Sequence, residues 1–223
     1  MNDTTSNIGG QDADASIEEW SQAGTHGQIG ARSWSRPAVQ PRFLAILVHG
    51  YGEHIGRYDH VAEALIEVGA FVCGLDHLGH GKSDGERVLI TDFEDVVMDV
   101  RRVLEHVREQ WPELPVVMIG HSMGGLIAAR YAQLHHDELT ALVLSGALIG
   151  EFDLIPQLLA LDEMPDVPLD PAILSRDLEV GDAYAADPLV WHGPFKRPTV
   201  EAMGVMLAAI HDGPSIHDLP LMW

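Results

Sequence analysis

Apolar positions follow two rhythms along the chain. The runs FLAILVHG (43–50), AFVCGLD (70–76), LPVVMIG (114–120) and LTALVLSGA (139–147) are apolar almost without interruption. Short runs of this kind, closed by Gly or a polar residue, predict strands buried on both faces of a sheet. Between them, apolar residues recur every three or four positions. Val61, Leu65 and Val68 form such a stripe, predicting a helix near 57–68 stopped by Gly69. Phe93, Val97, Val100, Leu104, Val107 and Trp111 form a longer one, opened by a capping box of Thr91 and Glu94. MGGLIAARYAQL (123–134) reads as a third helix, and residues 20–42 as two short strands broken by Gly and Pro. Buried strands alternating with amphipathic helices predict an α/β fold: a mostly parallel sheet with helices on both faces.

The rhythm fails between about 148 and 214, which is punctuated by Pro and Asp and reads as mostly helical. It predicts an insertion over one edge of the sheet. LPLMW (219–223) then reads as the start of a further buried strand. Residues 1–18 offer almost nothing to bury and are expected to be a loose tail, leaving one domain over 19–223.

Composition narrows the functional classes. Thirteen Lys and Arg face 34 Asp and Glu, a formal charge of -21, so the surface repels nucleic acid and anionic headgroups. Cys73 is the only cysteine and lies in an apolar run, as a buried structural thiol would. The N-terminus has neither a basic n-region nor an apolar h-region, and no segment has the length of a membrane span, so a cytoplasmic protein is expected. Thirteen histidines invite a metal reading, but no H-E-x-x-H is present and no metal or cofactor is expected.

The chemistry centres on Gly120-His-Ser122-Met-Gly124, a G-x-S-x-G pattern between an apolar strand and a helix. That context predicts a nucleophile elbow, a tight turn holding the serine hydroxyl above the sheet, with small residues two positions away on each side. The helix N-terminus behind Ser122 would supply N–H groups to an oxyanion. A second glycine turn, in HGYGEHIGRY (49–58), follows the strand that ends in His49-Gly50 and would supply the Tyr51 N–H beside that of Met123. As a dinucleotide fingerprint it fails, because Ile55 stands where the third glycine is needed. In LDHLGHGKSDG, the groups of Asp76, His77 and His80 read as structural, with Gly79 and Gly81 permitting a tight turn.

HGYGEHIGRY, LDHLGHGKSDG and GHSMGG, in this order and spacing, resemble the monoacylglycerol lipase family of α/β-hydrolases. The resemblance runs from about residue 25 to the last and includes SRDLEVGDAYAADPLVWHGP in the insertion. It implies Ser122 as the acyl-accepting nucleophile and Tyr51 and Met123 as the oxyanion donors. Glu53, His54 and Arg57 match the loop that holds the glycerol moiety, though a network bracing the elbow explains them equally well. Residues 148–214 match the family's lid, whose apolar face, here LIPQLLAL (154–161), meets the acyl chain and a lipid surface. The implied substrate is a lipid ester, with lysophospholipids and simpler esters sharing much of the pattern.

A serine hydrolase also needs a histidine and a carboxylate, in the chain order Ser, Asp or Glu, His. His135 and His136 fall at the far end of the elbow helix. His211, Asp212, His217 and Asp218 fall before the strand at 219, at the wrong end of the sheet, and His192 lies in the lid without an obvious carboxylate. In the family the acid follows the strand that begins at 219, and the His lies later still. The expectation is therefore a C-terminally truncated hydrolase, lacking the triad Asp and His and the final strand and helix, and nearly inactive. A catalytically dead lipid-binding module and a non-functional fragment remain open.

Overall fold

The computed structural model describes residues 15–37, 39–150, 154–167, 170–171 and 174–223. A seven-stranded sheet runs β1 (Ser16–Ala23), β2 (Gln28–Ser35), β4 (Ala70–Leu75), β3 (Phe43–Val48), β5 (Val116–His121), β6 (Ala141–Ser145), β7 (Leu221–Met222) in spatial order. β1 and β2 form an antiparallel hairpin on one edge, and the strands from β4 to β7 are parallel. The chain is an α/β-hydrolase fold.

The central strands are continuous apolar runs because both faces are covered. Leu44, Ile46 and Val48 of β3 join the core beneath α2 (Phe93–Gln110), α3 (Met123–His135) and α6 (Arg197–His211). Ala45 and Leu47 point the other way, into a smaller core with Ala62 and Ile66 of α1 (Asp59–Glu67). Each fully buried Leu or Ile contributes roughly 1.5–3 kcal/mol. Two further helices, α4 (Leu154–Leu159) and α5 (Leu178–Ala186), lie between β6 and α6.

Several local expectations need correction. The stripe on α1 is rotated by one residue: Ala62 and Ile66 are buried, whereas Val68 is 57% exposed and caps the helix before Gly69 at φ 93°. Ile55–Tyr58, ahead of α1, is a 3-10 turn, and Val61 and Leu65 pack half-buried against the smaller core. The cap of α2 is Asp92, which accepts from the Glu94 N–H, rather than Thr91. Glu94 pairs instead with Arg130 of α3 at 2.7 Å. Residues 16–18 of the expected tail belong to β1, paired with Ser33, Trp34 and Ser35, and residues 1–14 lie outside the described residues. β7 is not buried: Leu221 and Met222 are 48% and 68% exposed, because β7 is the sheet's edge. The last helix of the 148–214 segment is also more than a cover. α6 sends Val200, Ala202, Met203 and Met206 into the main core.

Candidate active site

β5 runs straight into Ser122, which sits at φ 53°, ψ −119°, and α3 begins at the next residue. A non-glycine residue in that region costs about 1–3 kcal/mol and persists only where its surroundings hold it. Here they do. The Ser122 N–H donates to Ser145 O (3.0 Å), and the Ser122 carbonyl accepts from Gly125 N (2.9 Å) and Leu148 N (3.2 Å). Glycine is required around it. A Cβ on Gly124 would stand 2.0 Å from Val48 O, one on Gly120 2.4 Å from Gly124 O, and one on Gly125 2.4 Å from Ala147 Cβ. The backbones of β3, β5 and α3 can converge only without these side chains.

The loop after β3 is clamped as firmly. Gly50 N–H donates to Glu53 Oε1 (2.7 Å), and the Tyr58 hydroxyl donates to the same oxygen (2.7 Å). Arg57 Nε stands 3.4 Å from Glu53 Oε2. His49 Nδ1 meets Gly50 O at 2.8 Å. Gly50 adjoins the elbow: a Cβ on it would lie 3.2 Å from Ser122 Cβ. Tyr51, next along, stacks on Phe195 with centroids 4.8 Å apart. Met123 opens α3, where the positive end of the helix dipole favours negative charge.

Beneath this loop lie His49, His77 and His80, all buried, with the His49 and His77 rings 4.1 Å apart. Desolvation drives all three below the usual imidazole range, His77 to about 3 and His80 to about 4, with charge repulsion from neighbouring cationic groups adding to the depression. Asp76 holds the turn together, accepting from Ile55 N and Lys82 N at 2.7 Å each. Burial raises its carboxyl and those two amides partly offset the rise. A Cβ on Gly81, at φ 48°, would stand 2.1 Å from Asp76 Oδ2, so the turn needs glycine there.

α5 and the segment after it dock on the same loop. His54 Nε2 meets Asp187 Oδ2 at 2.8 Å, Trp191 N–H donates to Gly52 O (2.7 Å), and the Arg57 guanidinium lies over the Tyr184 ring at 5.1 Å. Burial alone would raise the Asp187 carboxyl, but the His54 and Leu189 hydrogen bonds bring it below the usual range. The result is a cavity of about 290 Å³ with Ser122 in its wall. Its lining includes the charged side chains of Glu53 and Arg57 and the apolar ones of Leu158, Val200 and Met203.

The expected site residues therefore separate. Ser122, Tyr51, Glu53 and Arg57 line one cavity, with Met123 immediately behind the serine. His54 does not line the cavity and ties the loop to Asp187. Glu53 and Arg57 belong both to the bracing network and to the cavity wall. In the 154–161 stretch, Leu154, Ile155 and Leu158 line the cavity while Leu161 is exposed. Sequence reasoning assigns no role to Asp187, Tyr184 and Phe195, which meet the loop from far along the chain; Tyr184 and Asp187 lie in a stretch that resembles the family, but nothing local ties them to the loop.

Among the described residues, no imidazole is hydrogen-bonded to Ser122. His121 lines the cavity, but its Nδ1 engages Ser145 O at 3.0 Å. His192 Nε2 is bound to Asp187 O (3.1 Å). His136 at the foot of α3 packs against His217, with ring centroids 4.5 Å apart, so the start of β7 lies at the end of the sheet opposite Ser122. Among the described residues, no group of three or more His, Cys, Asp or Glu is arranged to hold a metal ion, and no helix is long and apolar enough to cross a membrane.

The family described as serine aminopeptidase, S33, matches residues 39–223. A monoacylglycerol lipase of Mycolicibacterium smegmatis is 41% identical over 176 residues, 75% of this chain and 63% of that protein. The monoglyceride lipase of Homo sapiens is 34% identical over 175 residues, 74% of this chain and 57% of its own length. The chain thus spans about three fifths of the length of these relatives. Among solved structures, a carboxyl esterase from Bacillus coagulans in complex with glycerol superposes with a TM-score of 0.73 at 27% identity, covering 87% of this chain and 73% of that one. A monoacylglycerol lipase from Paleococcus ferrophilus superposes with a TM-score of 0.65 at 28% identity, covering 82% and 73%.

Proposed function

Since the chain belongs to the serine aminopeptidase S33 family of α/β-hydrolases, with monoacylglycerol lipases among its relatives, we propose that it is built to hydrolyse monoacylglycerol esters through Ser122. The observation that carries this reading is Ser122 held at positive φ in the wall of an amphiphilic cavity. In the proposed reaction, Ser122 Oγ attacks the ester carbonyl and the oxyanion is held by the N–H groups of Tyr51 and Met123. Glycerol then leaves with a proton, and water releases the fatty acid from the acyl-enzyme. The acyl chain fits the apolar lining, and the glycerol hydroxyls fit Glu53 and Arg57. Within residues 148–214, the part ahead of α6 serves as the lid.

The serine proton needs an acceptor, and imidazole is the usual one. None is in place among the described residues, so we propose that this chain, by itself, turns over slowly. That favours a second reading, a module that binds glycerides without hydrolysing them. A monoalkylglycerol ether, which resists hydrolysis, tests the shared part. Saturable binding that is lost on Met203→Asp is expected, whereas no binding by folded protein would contradict both readings. Hydrolysis rates with monoacylglycerols and lysophospholipids of matched chain length then separate lipase from lysophospholipase.

A further inference from the structure

The Gly50–Tyr51 peptide is set by a side chain the reaction itself does not use. We infer that His49 is a positioning residue: its Nδ1–H holds the Gly50 carbonyl and so turns the Tyr51 N–H of the same peptide toward the oxyanion site. The inference rests on Tyr51 being an oxyanion donor.

The hydrogen bonds around His49 specify its tautomer. His49 Nε2 faces the main-chain N–H of His77 at 3.1 Å, a donor, so Nε2 must be the bare acceptor nitrogen. The ring proton then sits on Nδ1, 2.8 Å from Gly50 O. His77 returns the contact, its Nε2 meeting His49 O at 3.1 Å. A trans peptide holds C=O and N–H antiparallel, so fixing the carbonyl fixes the direction of the Tyr51 N–H. Glu53 secures the other side of Gly50 by accepting its N–H. Glycine has no side chain of its own to resist rotation, so these two partners replace that stiffness. A protonated His49 would set donor against donor at His77. The groups facing it, His77, His80 and His54, all oppose that charge.

Long-range proton–nitrogen NMR on the 223-residue protein at pH 7 reads the tautomer directly. The Nδ1–H form is expected, and an Nε2–H form overturns the inference. Two variants then test the consequence. His49→Asn keeps a donor near the Nδ1 position, whereas His49→Gln carries its amide to the Nε2 position. Slow fluorophosphonate labelling of Ser122, at high probe concentration, should fall about 10- to 100-fold in His49→Gln and within about threefold in His49→Asn. Equal losses in two folded variants overturn the positioning role. If both variants unfold, the tautomer decides. If Ser122→Ala fails to abolish labelling, the proposed function falls while the tautomer result stands.

Discussion

Ser122 has two unlike sides. Toward β3 the backbone and the acid are held by partners: Gly50 is bound at both its N–H and its carbonyl, Glu53 serves two donors, and three neutral imidazoles fill the space beneath. Toward β6 and β7 the molecule is open. Leu221, Met222 and Trp223 are exposed at the sheet edge, and no imidazole is hydrogen-bonded to the serine hydroxyl among the described residues. In the proposed reaction, stabilising the oxyanion and accepting the serine proton are separate tasks. The groups proposed for the first all lie within residues 43–125, while the second has no counterpart among the described residues.

Acid should expose the contrast most strongly. His49, His77 and His80 have folded pKa values below their unfolded values near 6.5, so the unfolded chain binds protons that the folded chain refuses. Their contribution is complete above about pH 6.5 and is lost as pH falls toward 4, at ~1.4 kcal/mol per pH unit for each ring. Asp76, raised by burial, works in the opposite direction. Urea unfolding at pH 7 and pH 5 measures the net slope, and equal midpoints would remove the neutral-imidazole account. Gly124→Ala comes next, because its Cβ would stand 2.0 Å from main-chain Val48 O, which cannot step aside. A loss of about 3 kcal/mol or more is expected in denaturant titration.

A smaller effect is expected where the residues around Asp187 dock on the loop after β3. Asp187→Ala removes the His54 contact and should speed hydrogen exchange at the Trp191 amide by an opening energy of about 1–2 kcal/mol, leaving the elbow amides unchanged. The smallest belongs to the open side. Trp223→Ser should alter stability by less than about 0.5 kcal/mol, since a 72% exposed side chain has little packing to lose.

The closed side is the legible side. β3, β4 and β5 are covered on both faces, so their sequences are apolar throughout and name themselves. The elbow is readable because three backbones converge there and only glycine fits at 120 and 124. The features that escape depend on partners far along the chain or on single-residue geometry. His54 and Asp187 are 133 residues apart, and although each lies in a stretch that resembles the family, neither stretch says that the two meet. On α1 the buried face is centred on Ala62 and Ile66 with Val61 and Leu65 half-buried beside it, a rotation too small for the spacing to reveal, and Asp92 takes the capping role because its carboxylate reaches the Glu94 N–H. The apolar letters of LPLMW suggest burial, but burial also requires a covering neighbour, which letters alone do not supply.

We propose an oxyanion side formed by the Tyr51 and Met123 N–H groups beside a serine that has no imidazole base in place among the described residues. Fluorophosphonate labelling of the 223-residue chain at neutral pH, with and without added imidazole, tests it most directly. Slow labelling at Ser122, accelerated by the free imidazole and abolished by Ser122→Ala, is the predicted result. Rapid labelling without imidazole, lost in Ser122→Ala, would show that the chain already supplies a base and would contradict the account.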